Sequence, residues 1–183
     1  MLLTQRVSAV IYDTSPERIW DFASDPKNWT ASNPVEHRGL ELFSRSGLPE
    51  TGAMFHQQEY VAGVFADLEG HFLYVERPRV CVWTGIAKYR FLGGLLKIRI
   101  AEGGTATLTK LGDGWELAHE VFMDYSDSLF GKLLYWGFVH LLDGQTAVFE
   151  HANREVVYFK TYLQAASGSA AVVQNTPMNE LTQ

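Results

Sequence analysis

The feature that most constrains this chain is a change in the spacing of its apolar residues near Tyr125. Before it, from Val35, short segments alternate between apolar and polar residues, which predicts strands. After it, apolar residues recur every three or four positions to about Gln164, which predicts a helix. The strand segments follow each other with short turns, which favours an antiparallel meander over a parallel βαβ sheet. The turns are expected at Ser46-Gly47, Ala62-Gly63, Arg77-Pro78, Leu92-Gly93-Gly94, Gly103-Gly104 and Gly112-Asp113-Gly114.

The segment before the meander predicts one strand and two short helices. Residues 6–12 alternate and are rich in Val, Ile and Tyr, as in a strand. Thr14 or Ser15 can cap the following helix, and Pro16 suits its first turn. Asp25-Pro26 ends that helix, because the residue before a proline avoids the helical region. A second short helix is expected to follow from Pro26 to Ala31.

The last part of the chain predicts one long helix, capped by Asp127 or Ser128 and able to bend at Gly137 or Gly144. Its apolar face is expected to contain Leu134, Phe138, Leu141, Val148, Ala152, Val156 and Phe159. Residues 1–164 are expected to form a single domain. Residues 165–183 are small and polar and are expected to form a disordered tail.

This order of elements predicts an α+β fold, in which a curved antiparallel sheet of six to eight strands wraps around the long C-terminal helix. One helix covers only part of a curved sheet, so a cavity is expected between them. The aromatic content of 13% suits both a pocket wall and a filled core.

Charge, cysteine content and the N-terminus exclude several classes of protein. The net charge of −6 gives no indication of a basic surface, so nucleic acid is not an expected partner. The one cysteine, Cys81, excludes an intramolecular disulfide and a cysteine-rich metal site. The N-terminus has no apolar run of the kind found in signal peptides. No stretch of the chain approaches the ~20 apolar residues that a membrane span needs. We therefore expect a cytoplasmic monomer or homodimer without integral membrane association.

Four short segments of the chain resemble one known family. Residues 9–22 join a strand to a helix that begins at Pro16, and Asp25-Pro26 stands shortly before Trp29. Residues 112–117 read Gly-Asp-Gly-Trp-Glu-Leu, with Trp115 where a threonine is usual, and residues 149–163 resemble the end of the long helix. Together they resemble the START-like, helix-grip superfamily (SRPBCC), and in particular its polyketide cyclase/dehydratase-like members. The resemblance implies binding of apolar small molecules such as lipids, sterols or polyketides.

The alternation of residues along each predicted strand selects the candidate site residues. In the last strand, His119 shares a face with Trp115, Leu117, Val121 and Met123, so it is expected to point into the cavity. We expect it to accept a proton or to hydrogen-bond a ligand oxygen, with Tyr74 or Tyr60 as the second catalytic group. The ligand-binding residues are expected to be Trp29, Phe55, Phe72, Trp83, Leu117, Val121, Met123, Trp136, Phe138 and His140. Residues 80–89 leave two alternatives open: an inward face with Val80, Val82, Thr84 and Ile86, or one with Cys81, Trp83, Ala87 and Tyr89.

Two spacings could place a pair of metal ligands on one helix face. They are His140-x-x-Asp143 and His151-x-x-x-Glu155. Neither pair has a third ligand nearby in the sequence, and a solvated pair is the commoner use of such spacings. The sequence therefore predicts no metal and no cofactor.

Three functions are compatible with these features. The first is a carrier or sensor of an apolar or aromatic small molecule of the polyketide, lipid or terpenoid class. The second is a cofactor-independent cyclase or dehydratase that uses the same cavity with histidine and tyrosine as acid and base. The third is a protein-interaction or chaperone-like module of the same fold. The fold alone does not choose among them.

Overall fold

The computed structural model describes residues 1–174, without the side chains of Leu92 and of residues 167–174. It contains seven strands, four α-helices and a short 3-10 helix at Leu92–Gly94, in the predicted α+β order except that two helices follow the last strand. The strands are β1 (Leu2–Ile11), β2 (His37–Phe43), β3 (Met54–Val61), β4 (Val64–Glu76), β5 (Val80–Phe91), β6 (Leu96–Leu111) and β7 (Gly114–Asp124). The helices are α1 (Pro16–Ser24), α2 (Pro26–Ser32), α3 (Leu129–Leu141) and α4 (Gly144–Gln174).

The seven strands form one antiparallel sheet in the order β1-β7-β6-β5-β4-β3-β2. The two strands that flank α1 and α2 in the chain, β1 and β2, therefore lie at opposite edges of the sheet. The predicted curved sheet around a C-terminal helix is confirmed, and its strand number lies inside the predicted range. Among the helices that the structure describes, none is long and apolar enough to cross a membrane.

The predicted turn at Gly103-Gly104 is wrong, because β6 runs through both residues. The glycines serve instead to bring neighbouring strands and side chains close together. A Cβ on Gly103 would lie 2.5 Å from the Phe122 ring and 2.7 Å from the Trp83 carbonyl oxygen. A Cβ on Gly85 would lie 2.5 Å from the Glu69 carbonyl oxygen. The middle of the sheet therefore has positions where only hydrogen fits.

The two short helices begin as the sequence predicts. The Ser15 hydroxyl accepts a hydrogen bond from the Arg18 backbone N–H (3.2 Å), which caps α1 before Pro16. Asp25 ends α1 and caps α2, since its carboxylate accepts from the Lys27 N–H (2.8 Å). These caps satisfy N–H groups that have no partner inside the helix.

The predicted long helix is divided in two. Ser128 caps α3, as expected, but the helix ends at Leu141, and Asp143 adopts a left-handed conformation (φ 47°). Gly144 starts α4, and a Cβ there would collide with the Phe138 ring. The break leaves Leu141 exposed, which corrects its predicted place on the buried face. Gly137 lies within α3 and does not divide it.

The apolar face of α4 closes the concave side of the sheet. Val148, Ala152, Val156 and Phe159 are buried, as the spacing predicts, and Leu163 extends the same face. The helix continues to Gln174, so residues 165–174, which were predicted to be a disordered tail, are helical. Residues 175–183 of that predicted tail lie outside the described residues.

Candidate functional site

A cavity of about 200 Å³ lies between the concave face of the sheet and α4. Apolar and aromatic side chains form most of its wall, while glutamate and histidine side chains form one part of it. Eight of the predicted site residues line it: His119, Trp29, Phe55, Phe72, Trp83, Leu117, Val121 and Met123. The structure places these eight side chains in the cavity wall, and their roles stay predictions.

Strands β7 and β5 contribute side chains from one face each to the cavity wall. In β7, Leu117, His119, Val121 and Met123 reach the cavity, as the alternation predicts. In β5 the second alternative is correct: Cys81, Ala87 and Tyr89 are buried, and Trp83 lines the cavity with Cys81 and Tyr89. Burial raises the pKa of the Cys81 thiol to about 12, so this cysteine is not a reactive thiolate at neutral pH.

Tyr74 does not reach the cavity, contrary to prediction. The pairing of β4 with β5 shifts by one residue between Phe72 and Tyr74, so Leu73 is an extra residue in the strand. This bulge reverses the alternation from that point on. Tyr74 is 49% exposed, and its hydroxyl donates to Glu76 (2.9 Å) on the outer surface.

Tyr60 also lies outside the cavity. Its neighbours in β3, Glu59 and Val61, take the inward positions, so Tyr60 points to the other face. There its ring packs edge-on against Phe65 (5.4 Å between ring centres) and under the Arg38 guanidinium (5.0 Å). The predicted partnership of His119 with either tyrosine is therefore not formed.

Three predicted ligand-binding residues on α3 are also outside the cavity wall. Trp136 is half exposed and packs against His140 on the outer side of the helix. Phe138 is buried, but it packs against Tyr125 within the core. Trp136 and His140 lie one turn apart on the exposed side of α3, while Phe138 lies on its buried side, so the three side chains do not share one face.

Next to the apolar wall lies a buried cluster of titratable side chains, which we call the His–Glu cluster: His37, Glu59, His119, His151 and Glu155. His37 and Glu59 face each other across β2 and β3. His151 and Glu155 stand one helical turn apart on α4, and His119 comes from β7. The side chains of His37, Glu59 and Glu155 are 0%, 7% and 4% exposed.

The centre of the His–Glu cluster is compact. His37 Nε2 lies 3.1 Å from His151 Nε2 and 3.1 Å from Glu155 Oε1. His151 Nε2 lies 3.4 Å from the same Glu155 oxygen and 3.1 Å from Glu59 Oε2. Glu59 Oε2 is buried, and its contact with His151 Nε2 does not have the angles of a hydrogen bond. A buried carboxylate oxygen in this state is costly, which suggests that the site has a use beyond packing.

A second layer of groups orients the cluster. The Nδ1–H of His37 donates to the Trp29 carbonyl oxygen (2.7 Å), and the His37 ring stacks on Trp29. His151 Nδ1 lies 3.1 Å from a carboxylate oxygen of Glu36. His119 Nδ1 lies 3.1 Å from the second oxygen of Glu155. Each imidazole is thus fixed by a hydrogen bond on Nδ1.

The cluster shifts the pKa values of two of its members, His151 and Glu155, toward their charged forms. Burial alone would lower the pKa of His151, but the carboxylates of Glu59, Glu155 and Glu36 hold it well above its usual value. Burial opposes ionisation of Glu155, but hydrogen bonds from His119, His151 and His37 hold its pKa well below the usual value. The cluster therefore favours an ionised Glu155 beside a protonated His151.

A third buried carboxyl group, Glu102, also lies in the cavity wall. Glu102 accepts a hydrogen bond from the Tyr89 hydroxyl (2.5 Å), and both side chains are buried. Burial raises the pKa of Glu102 to about 8, and the charge of Glu59 acts in the same direction. Burial also raises the pKa of Tyr89 well above its usual value. Burial therefore favours the neutral form of both groups.

Sequence reasoning missed most of these polar groups. The spacing of His151 and Glu155 indicated two ligands on one helix face, but their third neighbour, His37, lies 114 residues away in the chain. The alternation of β3 offered a second signal, because Glu59 shares the inward face with Phe55 and Val61. The other spacing, His140 with Asp143, contributes no residue to the cluster.

Comparison with known proteins identifies the fold. No family model and no curated protein sequence matches the chain. Among solved structures, the KanY protein has a TM-score of 0.57 at 9% identity, covering 90% of this chain and 99% of that chain. Ara h 8.0201 has a TM-score of 0.56 at 9% identity with the same coverage.

A third solved structure is the Polyketide_cyc-like protein Cgl2372 from Corynebacterium glutamicum. It has a TM-score of 0.56 at 13% identity and covers 98% of this chain and 99% of that chain. Structural similarity at identities this low establishes the fold and leaves the activity open. The predicted architecture is thus confirmed: this chain has the helix-grip fold.

Proposed function

We propose that this protein binds an apolar small molecule, of the polyketide, lipid or terpenoid class, in the cavity between the sheet and α4, as a carrier or sensor. The observation that carries the proposal is the contrast within the cavity wall. Aromatic and aliphatic side chains make up most of it, and the polar groups gather around His119 and Glu155. Apolar walls with a few convergent polar groups are typical of small-molecule sites.

The cavity wall gives the ligand two requirements. An apolar body would be held by Phe55, Phe72 and Trp83, whose rings pack against each other at 5.1 and 5.7 Å between centres. An oxygen on the ligand would meet His119, whose side chain is 21% exposed. The name of the Corynebacterium protein, Polyketide_cyc-like, supports the polyketide class. A cytoplasmic location and a monomer or homodimer remain expectations of the proposal.

Binding of an environment-sensitive dye tests the proposal. Anilinonaphthalene sulfonate should bind the purified chain with saturable stoichiometry. Val121→Trp, which fills the cavity from β7, should abolish that binding. Val157→Trp is the matched control, because Val157 is exposed on α4, and it should leave dye binding unchanged. Equal binding by both folded variants would contradict the proposal, and native mass spectrometry of the wild type would identify a co-purified ligand.

A second candidate function is an enzyme that uses the same cavity. The observation that favours it is the contact of His119 with the buried Glu155 carboxylate at the cavity wall (3.1 Å). Such a pair can orient an imidazole toward a substrate. Conversion of a ligand by purified protein, lost in His119→Gln but retained in Tyr74→Phe, would favour the enzyme over the carrier.

A further inference from the structure

The central atoms of the His–Glu cluster are spaced as the ligands of one metal ion would be. The three distances among His37 Nε2, His151 Nε2 and Glu155 Oε1 are 3.1, 3.1 and 3.4 Å. Zinc bonds to nitrogen and oxygen are about 2.0–2.2 Å, which separates adjacent ligands by about 2.8–3.1 Å in an octahedron and about 3.3–3.6 Å in a tetrahedron. One ion can therefore contact all three atoms.

The outer hydrogen bonds of His37 and His151 are made by Nδ1, which leaves Nε2 of each ring free to bind a metal ion. A carbonyl oxygen and a carboxylate only accept hydrogen bonds, so Nδ1 of His37 and Nδ1 of His151 carry the proton. In the neutral rings, Nε2 is then a lone-pair acceptor. The two Nε2 atoms face each other at 3.1 Å, where two lone pairs repel. A positive charge, either a proton or a metal ion, is required between them.

The same bonds are the outer contacts that metal-binding imidazoles make. Histidine ligands usually donate their other ring N–H to a carbonyl or carboxylate, which fixes the ring and increases its basicity. Trp29 serves His37 in this way and Glu36 serves His151. The free oxygen of the third ligand, Glu155, contacts His119. All three ligand side chains are therefore held in place from outside.

Charge balance favours a divalent ion. The carboxylates of Glu59 and Glu155 are both buried beside the two imidazoles. One divalent cation with neutral histidines neutralises these two carboxylates. It also gives the Glu59 oxygen that receives no hydrogen bond a partner, either directly or through a bound water. The same atoms without a cation would need more than one proton to reach neutrality.

We propose that this chain binds one divalent transition-metal ion, of the kind that imidazole and carboxylate ligands select, through His37, His151 and Glu155. Two histidines and one carboxylate with open positions are a ligand set of both zinc and non-haem iron(II). His151, Glu155 and Glu59 line the cavity, so the open positions face it. The inference goes beyond the proposed binding of an apolar molecule and does not depend on it.

The test is a metal titration of the full chain without a histidine tag, after treatment with a chelator. Zn²⁺, Fe²⁺ under anaerobic conditions, Co²⁺ and Mg²⁺ are titrated separately by calorimetry. We expect one Zn²⁺ or Fe²⁺ per chain and no comparable binding of Mg²⁺. The visible spectrum of bound Co²⁺ distinguishes the two geometries: intense bands indicate a tetrahedral, zinc-type site, and weak bands a six-coordinate, iron-type site.

Variants assign the site to its residues. His151→Gln and Glu155→Gln should each weaken binding by more than about 100-fold, and Glu36→Gln, which removes only an outer contact, by about 10–100-fold. His140→Gln, on α3 and outside the cluster, is the matched control and should bind as the wild type does. Circular dichroism establishes that each variant is folded. If a variant does not fold, the Co²⁺ spectrum of the wild type alone tests whether the chain binds the ion.

Two results would overturn the inference. One is a wild-type chain in which Co²⁺ keeps the spectrum of the aqueous ion and Zn²⁺ and Fe²⁺ show no stoichiometric binding. The cluster would then be held together by protons alone. The other is binding that survives unchanged in folded His151→Gln, which would move the ion to another part of the chain. A cavity that binds dye but no metal would reject this site and leave the proposed ligand binding intact.

Discussion

The helix α4 meets the two edges of the sheet in different ways. At the β1 edge, Val156 and Ala152 pack against Val7 and Ala9 in a small apolar cluster. At the β2–β3 edge, the next residues around the helix, His151 and Glu155, meet His37 and Glu59 instead. The same helix therefore closes one side of the cavity with aliphatic contacts and the other with charged groups.

The comparison shows where stability and function separate. Aliphatic packing stabilises the helix at the β1 edge without any desolvation of charge. Burying ionised groups at the other edge is expensive, and well-packed apolar residues in their place are often as stable or more so. The β2–β3 edge therefore carries groups that packing alone does not require, and it is the edge at which chemistry is expected.

The sharpest test removes the central carboxylate of the charged edge. With chelator present, Glu155→Leu should lower the free energy of unfolding by about 3–5 kcal/mol, because it leaves buried imidazoles without their partner. Val156→Ala at the apolar edge should lower it by only about 2 kcal/mol, through lost aliphatic contact. Urea unfolding measures both. Glu150→Leu, an exposed position on the same helix, is the control and should change it by less than about 0.5 kcal/mol. A Glu155→Leu protein as stable as the wild type would contradict the proposed difference in stabilisation between the two edges.

The pH dependence of stability tests the carboxyl group between the two edges. The pKa of Glu102 is about 8 in the folded chain and near 4.5 in the unfolded one, so the folded state binds more protons between these values. Stability from this group is complete below about pH 4.5 and is lost as pH rises through about 8. We expect wild type to lose roughly 2–3 kcal/mol relative to Glu102→Gln between pH 5 and pH 7. Parallel stability curves for the two proteins would contradict the buried, neutral Glu102.

The smallest effect is expected outside the cavity, at Tyr74. Tyr74→Phe removes one exposed hydrogen bond to Glu76 and should change the free energy of unfolding by less than about 0.5 kcal/mol. Dye binding should stay at the wild-type value. Loss of dye binding in a folded Tyr74→Phe protein would indicate that Tyr74 lines the cavity, and it would contradict the bulge at Leu73.

The features that follow from regular repetition could be predicted from the sequence. The alternation of β7 predicted the inward positions of Leu117, His119 and Val121. The caps at Ser15 and Ser128 follow from local hydrogen bonding. A single inserted residue is invisible to this reasoning, because Leu73 looks like any other strand residue yet reverses the direction of Tyr74.

The His–Glu cluster could not be predicted for a different reason. It combines residues from the start of β2, the middle of β3, β7 and α4, and no local pattern records which distant strands will face a helix. His37 follows a short helix and carries no periodic signal, while Glu59 stands as one acid among inward apolar residues. Pairing such residues requires the order of strands in the sheet, which the turn pattern alone does not specify.

The glycines in the middle of the sheet have a consequence for how this fold can change over time. Gly85 and Gly103 allow close approach at positions where any side chain would strike a neighbour. The room under α4 is thus set partly by the main chain, and less by the identity of the side chains that face it. Wall residues such as Val121 and Leu117 can therefore be exchanged for others of similar size while the hollow persists. Selectivity for a ligand can drift by substitution on the wall, while the frame that creates the space is inherited unchanged.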